Sequence, residues 1–171
     1  MEQSTVTLRE LKSGDADRMV ELANNENVSI NLRDQFPHPY TRRDAERFLK
    51  LIRVGDQISA FAIESNGTYV GNIGLIRETD VYKNSAELGY FLGEPYWNQG
   101  VMTKAIVLAL QFGFETLDLN RVHCGVFEFN KASQRVLEKA GFIKEGIFKQ
   151  AVFKKGQFWD EIRYAKLRPK S

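Results

Sequence analysis

The stretch Glu87–Leu117, ELGYFLGEPYWNQGVMTKAIVLALQFGFETL, constrains the fold more than any other part of the chain. It opens as an apolar strand, Glu87–Leu92, and breaks at Gly93-Glu94-Pro95. It then passes through Trp97-Asn98-Gln99-Gly100 and runs without glycine or proline from Val101 to Phe112. A strand that feeds a short polar turn and then a long apolar helix sends unpaired backbone N–H groups toward one point. The helix dipole adds partial positive charge there, and Gly100 lets a ligand approach the backbone without meeting a Cβ. Such a turn suits a phosphate or diphosphate, although many α/β proteins use it only as a connection. Two familiar phosphate loops are excluded. Gly100 is followed by Val101-Met102-Thr103-Lys104, so the three-glycine dinucleotide fingerprint is missing, as is the Gly-Lys-Ser/Thr ending of a Walker loop.

The flanking segments supply a sheet and further helices. Val6–Leu11 alternates as a strand, and Ser13-Gly14-Asp15 opens a helix of about ten residues with Met19, Leu22 and Ala23 facing inward. Asn24–Tyr40 is polar with Pro37 and Pro39, and reads as a loop able to change shape. Its Phe36, His38 and Tyr40 either line a substrate groove or cover the core. Thr41 and Asp44 form a capping box for a helix from Arg42 to about Val54, stopped at Gly55. Asn66-Gly67 predicts a hairpin between Ile58–Glu64 and Thr68–Arg77, because both residues tolerate positive φ. Gly71, Asn72 and Gly74 loosen the second strand, as expected where a ligand or another backbone comes near.

Past the long helix, which extends to about Leu117, Arg121–Phe129 is a strand containing His123, a residue more often packed than catalytic in such a place. Asn130 caps a helix that ends at Ala140 and Gly141. Phe142–Ile147, a strand around Gln150–Lys154, a Lys155-Gly156 turn and Phe158–Ala165 close the chain. The order predicts one α/β domain over residues 1–171, with a mixed, mostly antiparallel sheet and helices on both faces.

Composition narrows the function. The 171 residues carry 24 basic and 22 acidic side chains, a net charge of +2, which argues against coating nucleic acid. Cys124 is the only cysteine, so neither an intramolecular disulfide nor a cysteine zinc cluster forms, and no metal site is expected. The start, MEQSTVTLRE, lacks a basic-then-apolar leader pattern, and the longest apolar run, Ala105–Leu110, falls far short of the roughly 20 residues that span a bilayer. A cytoplasmic protein without membrane attachment is expected.

Three separated runs resemble the GNAT family of N-acetyltransferases, and most closely its branch of bacterial ribosomal-protein N-terminal acetyltransferases. They are Glu87–Tyr90 with Pro95–Gly100, Asn130–Phe142 (NKASQRVLEKAGF), and Trp159–Ala165 (WDEIRYA). Leu8–Met19 and Pro37–Ala45 also fit, so the resemblance covers essentially the whole chain. The small residue usual two places after the loop glycine is Met102 here. The resemblance implies acetyl-CoA as co-substrate, attacked by a primary amine in a gap where the central strands splay. It assigns the diphosphate to N–H groups around Asn98, Gln99, Gly100, Val101, Met102 and Thr103, the pantetheine arm to Asn130, and an oxyanion-binding N–H to Leu92. The tyrosine that many relatives use to protonate the thiolate is replaced by Leu137, which leaves Ser133 for that role or for capping. Glu87 is either the base or a strand-end carboxylate in solvent or paired with an arginine, and Val152 stands where some relatives carry an acid. Phe36, Tyr40 and Asn72 are expected to bind substrate. The expected acceptor is a protein or peptide N-terminus, as in ribosomal-protein acetylation; a small amine (antibiotic, polyamine or amino acid) is the alternative, and a non-catalytic acyl-CoA sensor a third reading. A monomer and a homodimer both remain open.

Overall fold

Residues 4–171 are described by the computed structural model; Met1–Gln3, part of the segment read for a leader pattern, lie outside the described residues. In chain order the elements are β1 (Val6–Glu10), α1 (Ala16–Ala23), α2 (Glu26–Ser29), α3 (Arg42–Val54), β2 (Ile58–Ser65), β3 (Thr68–Arg77) and β4 (Ser85–Leu92). They continue with α4 (Val101–Glu115), β5 (Arg121–Phe127), α5 (Lys131–Lys139), β6 (Ile143–Lys154) and β7 (Gln157–Leu167). The strands form one sheet in the order β1-β2-β3-β4-β5-β7-β6. Only β4 and β5 run parallel, because α4 crosses between them.

Local chemistry explains most boundaries. Asn66 and Gly67 take φ of 51° and 79°, the left-handed pair that the β2–β3 hairpin needs. Thr41 and Asp44 form the capping box that starts α3. Gly55, however, ends that helix in an extended conformation at φ −93°, not through a left-handed cap. The segment read as loop, 24–40, contains a one-turn helix, α2, because the Asn25 side chain accepts the Asn27 N–H at 2.8 Å. The two closing pieces expected around Phe142–Ile147 and Gln150–Lys154 are one bulged strand, β6, with register shifts at Lys144/Gly146 and Phe148/Val152. Asp160 on β7 holds the second bulge by accepting the Gln150 N–H at 2.8 Å and the Lys149 ammonium at 2.9 Å.

Each sheet face buries its own apolar cluster. On one side, α4 and α5 pack Met102, Ile106, Leu110 and Leu137 against Ile73, Leu75, Leu88 and Val122. Each fully buried aliphatic side chain there contributes about 1.5–3 kcal/mol. On the other side, α1, α2 and α3 pack Met19, Leu22, Val28 and Leu49 against Ala62, Tyr69 and Phe91. The second cluster lies over β2–β4, and the loop before α3 reaches β6 through Lys154, which donates to Leu32 O and Asp34.

Candidate active site

The parallel pair at the centre of the sheet comes apart. β4 and β5 are in register only at Ser85–Arg121, Ala86–Val122 and Glu87–His123. Beyond Glu87, β4 continues to Leu92 and β5 to Phe127 without pairing, which opens a wedge-shaped gap through the sheet. Gly93 N–H donates to Val70 O at 2.8 Å across β3, so strand alternation turns the Leu92 N–H toward the gap. The Leu92 carbonyl is held by the Trp97 indole N–H at 2.8 Å, which fixes the bend out of β4.

That bend ends at the N-terminus of α4. Asn98 and Gly100 take φ of 59° and 74°. No atom lies within 4 Å of where a Gly100 Cβ would stand, so the approach is open. The first bond of the helix runs from the Lys104 N–H to Gly100 O at 3.3 Å. The Val101, Met102 and Thr103 N–H groups therefore find no backbone acceptor among the described residues. Asn98 and Gln99 are exposed beside them, with the Gln99 amide donating to Pro95 O at 2.9 Å. The Met102 side chain is buried in the α4 core, so its bulk lies away from the open side of the turn. A diphosphate fits this cradle on charge and on space.

On the face covered by α4 and α5, two hydroxyls meet across the gap. The Ser133 N–H donates to Asn130 Oδ1 at 3.2 Å, which holds Ser133 in the first turn of α5. Its hydroxyl is hydrogen-bonded to the phenol of Tyr90 on β4. Burial pushes the Tyr90 phenol well above its ordinary range, so it stays protonated at neutral pH. A neutral phenol is the better donor of the two, which leaves the serine O–H free to donate elsewhere. Leu137, one turn on, is packed in the core. Tyr90 is absent from the residues expected at the site, although strand alternation with the inward-facing Leu88 places it on this face.

The opposite face is charged. Glu87 is paired with Arg33 at 2.9 Å. His123 is buried and lies between Glu78 and Arg163: its Nδ1 faces the Arg163 guanidinium at 3.0 Å and its Nε2 faces Glu78 at 2.8 Å. A guanidinium only donates, so Nδ1 accepts and Nε2–H donates to Glu78. His123 is thus engaged at both ring nitrogens by its neighbours. Arg163 also donates to Glu161 at 2.7 Å. A cavity of about 270 Å³ opens here between the loop before α3 and β6, bounded by Arg33, Asp34, Phe127, Val152, Lys154 and Glu161. Lys154 closes one wall by donating to Leu32 O at 2.7 Å and Asp34 at 2.9 Å.

Of the three residues expected at the substrate, two are buried and Phe36 is half-buried. Tyr40 is buried, with its hydroxyl on the Met19 sulfur at 3.6 Å, and Phe36 stacks on it at 4.8 Å between ring centres. Asn72 is buried opposite Phe91, and its carbonyl accepts the Tyr69 hydroxyl at 2.7 Å. None of the three is among the residues bounding the cavity.

The chain as a whole has counterparts among known proteins. Residues 5–143 match the family described as "Acetyltransferase (GNAT) domain". A probable N-acetyltransferase of Bacillus subtilis, YjcK, is 37% identical over 105 residues, which are 61% of this chain and 58% of that protein's own length. The chain is similar in structure to the Vibrio cholerae spermidine N-acetyltransferase solved with CoA and spermine, at a TM-score of 0.82 and 26% identity over 95% of both chains. A RimL ribosomal-protein α-N-acetyltransferase solved with coenzyme A shares the fold at a TM-score of 0.82 and 21% identity, over 95% of this chain and 94% of its own. With the match spanning the turn, the splayed strands and the capped serine helix, the chain belongs to the GNAT acetyltransferase family.

Proposed function

We propose that the protein is an acetyl-CoA-dependent N-acetyltransferase whose acceptor is a primary amine, most readily the α-amino group of a protein or peptide chain. The observation behind this reading is the gap between β4 and β5, with free helix N–H groups at its end, hydroxyls on one face and carboxylates on the other. When bound, acetyl-CoA supplies a thioester activated toward amines. The Val101–Thr103 N–H groups hold its diphosphate, and Asn130 faces the pantetheine arm. The Leu92 N–H receives the negative charge that grows on the carbonyl oxygen; removal of such a donor elsewhere costs about 2.7–4 kcal/mol of barrier. As the amine nitrogen bonds to the acetyl carbon and the C–S bond breaks, Ser133 delivers its proton to sulfur while Tyr90 holds that hydroxyl in line; the nitrogen sheds a proton to solvent as the amide forms, and Ser133 regains one from solvent. Glu87 draws the ammonium to the gap from the far side.

Charge at the acceptor cavity favours a chain end over a polyamine. Arg33 and Lys154 balance Asp34 and Glu161 on the cavity wall, so the wall offers a polycation no net attraction. A peptide end, with one ammonium and flanking carbonyls, suits such mixed charges. Likeness to a spermidine acetyltransferase favours the polyamine reading instead. Thiol release with acetyl-CoA, measured across short peptides and spermidine, decides between them. Higher kcat/KM on peptides supports the first reading, and spermidine preference overturns it.

A further inference from the structure

The carboxylate best placed to take the acceptor's proton is not Glu87. Glu87 does not bound the cavity, whereas Glu161 does. Glu161 stands opposite Phe127 in the β5–β7 ladder, on the face that also carries Glu87, His123 and Gly125. Its side chain, 13% exposed, reaches over β5 toward the gap. The room for it is made by Gly125, where a Cβ would lie 2.6 Å from Glu161 Oε1 and 2.6 Å from an Arg163 nitrogen. Oε1 is taken by Arg163 at 2.7 Å, and Oε2 has no hydrogen-bond partner among the described residues. Arg163 is braced in turn by His123, and His123 by Glu78. Val152, in the same cavity wall, brings no ionisable group.

We infer that Glu161 is a catalytic base: its free Oε2 takes the first proton from the acceptor ammonium, and Arg163 and His123 act as positioning residues that aim it. The inference rests on the acetyl-transfer reading and adds to it the group that makes the amine nucleophilic. The R–NH3⁺ proton passes to the carboxylate and on to solvent, freeing the nitrogen lone pair for the acetyl carbon. Glu87, held by Arg33, supplies negative charge from the other lip of the gap. The charged groups around Glu161 are Arg163 on its own strand, Lys154 on β6, His123 on β5, Glu87 on β4, and Arg33 and Asp34 on the loop.

The test is kcat/KM for a short peptide with a free α-amino group, followed against pH, in Glu161→Gln and Glu87→Gln, beside the acetyl-CoA affinity of each. Glutamine can still accept a bond from Arg163 and removes the basicity together with the charge; the pH dependence isolates the basicity. Glu161→Gln is expected to lose about 100-fold at pH 7. Its deficit should shrink as pH rises past the amine's own pKa of about 8, where solvent does the deprotonation. Acetyl-CoA affinity should not change. Gly125→Ala, which displaces the carboxylate without removing it, should give a smaller loss of the same pH signature. A Glu161→Gln enzyme as active as wild type, or a deficit that does not vary with pH, overturns the assignment while leaving acetyl transfer intact. Wild-type protein that binds acetyl-CoA and acetylates no amine overturns both.

Discussion

Replacing Gly71 by alanine shifts the oxyanion donor without touching a reactive group. Gly71 lies opposite Leu92 in the β3–β4 ladder. A Cβ at this position would sit 2.2 Å from the Phe91 carbonyl oxygen and 3.0 Å from Leu92 Cα. Both are backbone atoms and cannot swing aside as a side chain would. To restore even a 3.0 Å contact, β4 must retreat from β3 by about 0.8 Å, carrying the Leu92 N–H into the gap. A misplacement of about 1 Å at a reacting centre costs on the order of 100-fold in rate, equivalent to about 2.7 kcal/mol of barrier. The overpacking itself costs about 1–3 kcal/mol of stability, too little to unfold a domain of ordinary stability. Thiol-release kinetics and CoA calorimetry read both quantities. The expected result is kcat reduced about 100-fold with CoA affinity retained, since the diphosphate cradle lies beyond the shifted residues. Gly74→Ala is the control, because its Cβ would meet Ala60 and Ser59 on the β2 side at 3.2 and 3.3 Å. Undiminished kcat in Gly71→Ala, or equal impairment in Gly74→Ala, refutes the placement of the oxyanion donor on β4.

Three further outcomes follow from the same geometry. Ser133→Ala should lower kcat with little change in CoA affinity, and equal turnover would remove Ser133 from the chemistry. Tyr90→Phe keeps the ring and removes the hydroxyl that holds Ser133, so it should cost turnover less than Ser133→Ala does; a melting temperature near wild type would separate positioning from packing. Asp15 accepts two Arg9 bonds at 2.9 Å and the Lys12 N–H at 2.8 Å. Burial alone would raise the Asp15 carboxyl, but those bonds outweigh it and hold the pKa below the ordinary 3.8. A depressed carboxyl stabilises the fold above the unfolded pKa of about 3.9, and the gain disappears as pH falls through the folded value. Asp15→Asn should therefore cost about 2 kcal/mol at pH 7 in denaturant melts and flatten the loss of stability below about pH 4.

The elements most legible in the sequence were those fixed by local chemistry. Asn66-Gly67, the Thr41 capping box and the Asn130 cap each specify their geometry within four residues, and all three form. The strand–turn–helix at Glu87–Leu117 was equally plain, since a long apolar run after a glycine turn leaves few alternatives. The β6 bulge was not. Gln150 at φ 49° interrupts the alternation just as a strand end would, and Asp160, which holds it, lies ten residues away. Side-chain partnerships across the sheet were hidden for the same reason. Glu87–Arg33, Tyr90–Ser133 and Glu161–Arg163 over Gly125 depend on register, which no short motif states. Phe36, Tyr40 and Asn72 carried the right chemistry for a substrate wall; the structure buries Tyr40 and Asn72 and leaves Phe36 half-buried against the second apolar cluster.

The most direct measurement is a crystal structure with coenzyme A, paired with calorimetry of the same complex. The diphosphate should lie on the Val101, Met102 and Thr103 N–H groups, with the pantetheine along the free edge of β4 and the sulfur beside Ser133. An absence of binding heat, or coenzyme A seated elsewhere with that helix start empty, would contradict the reading of the β4–β5 gap as an acetyl-transfer site.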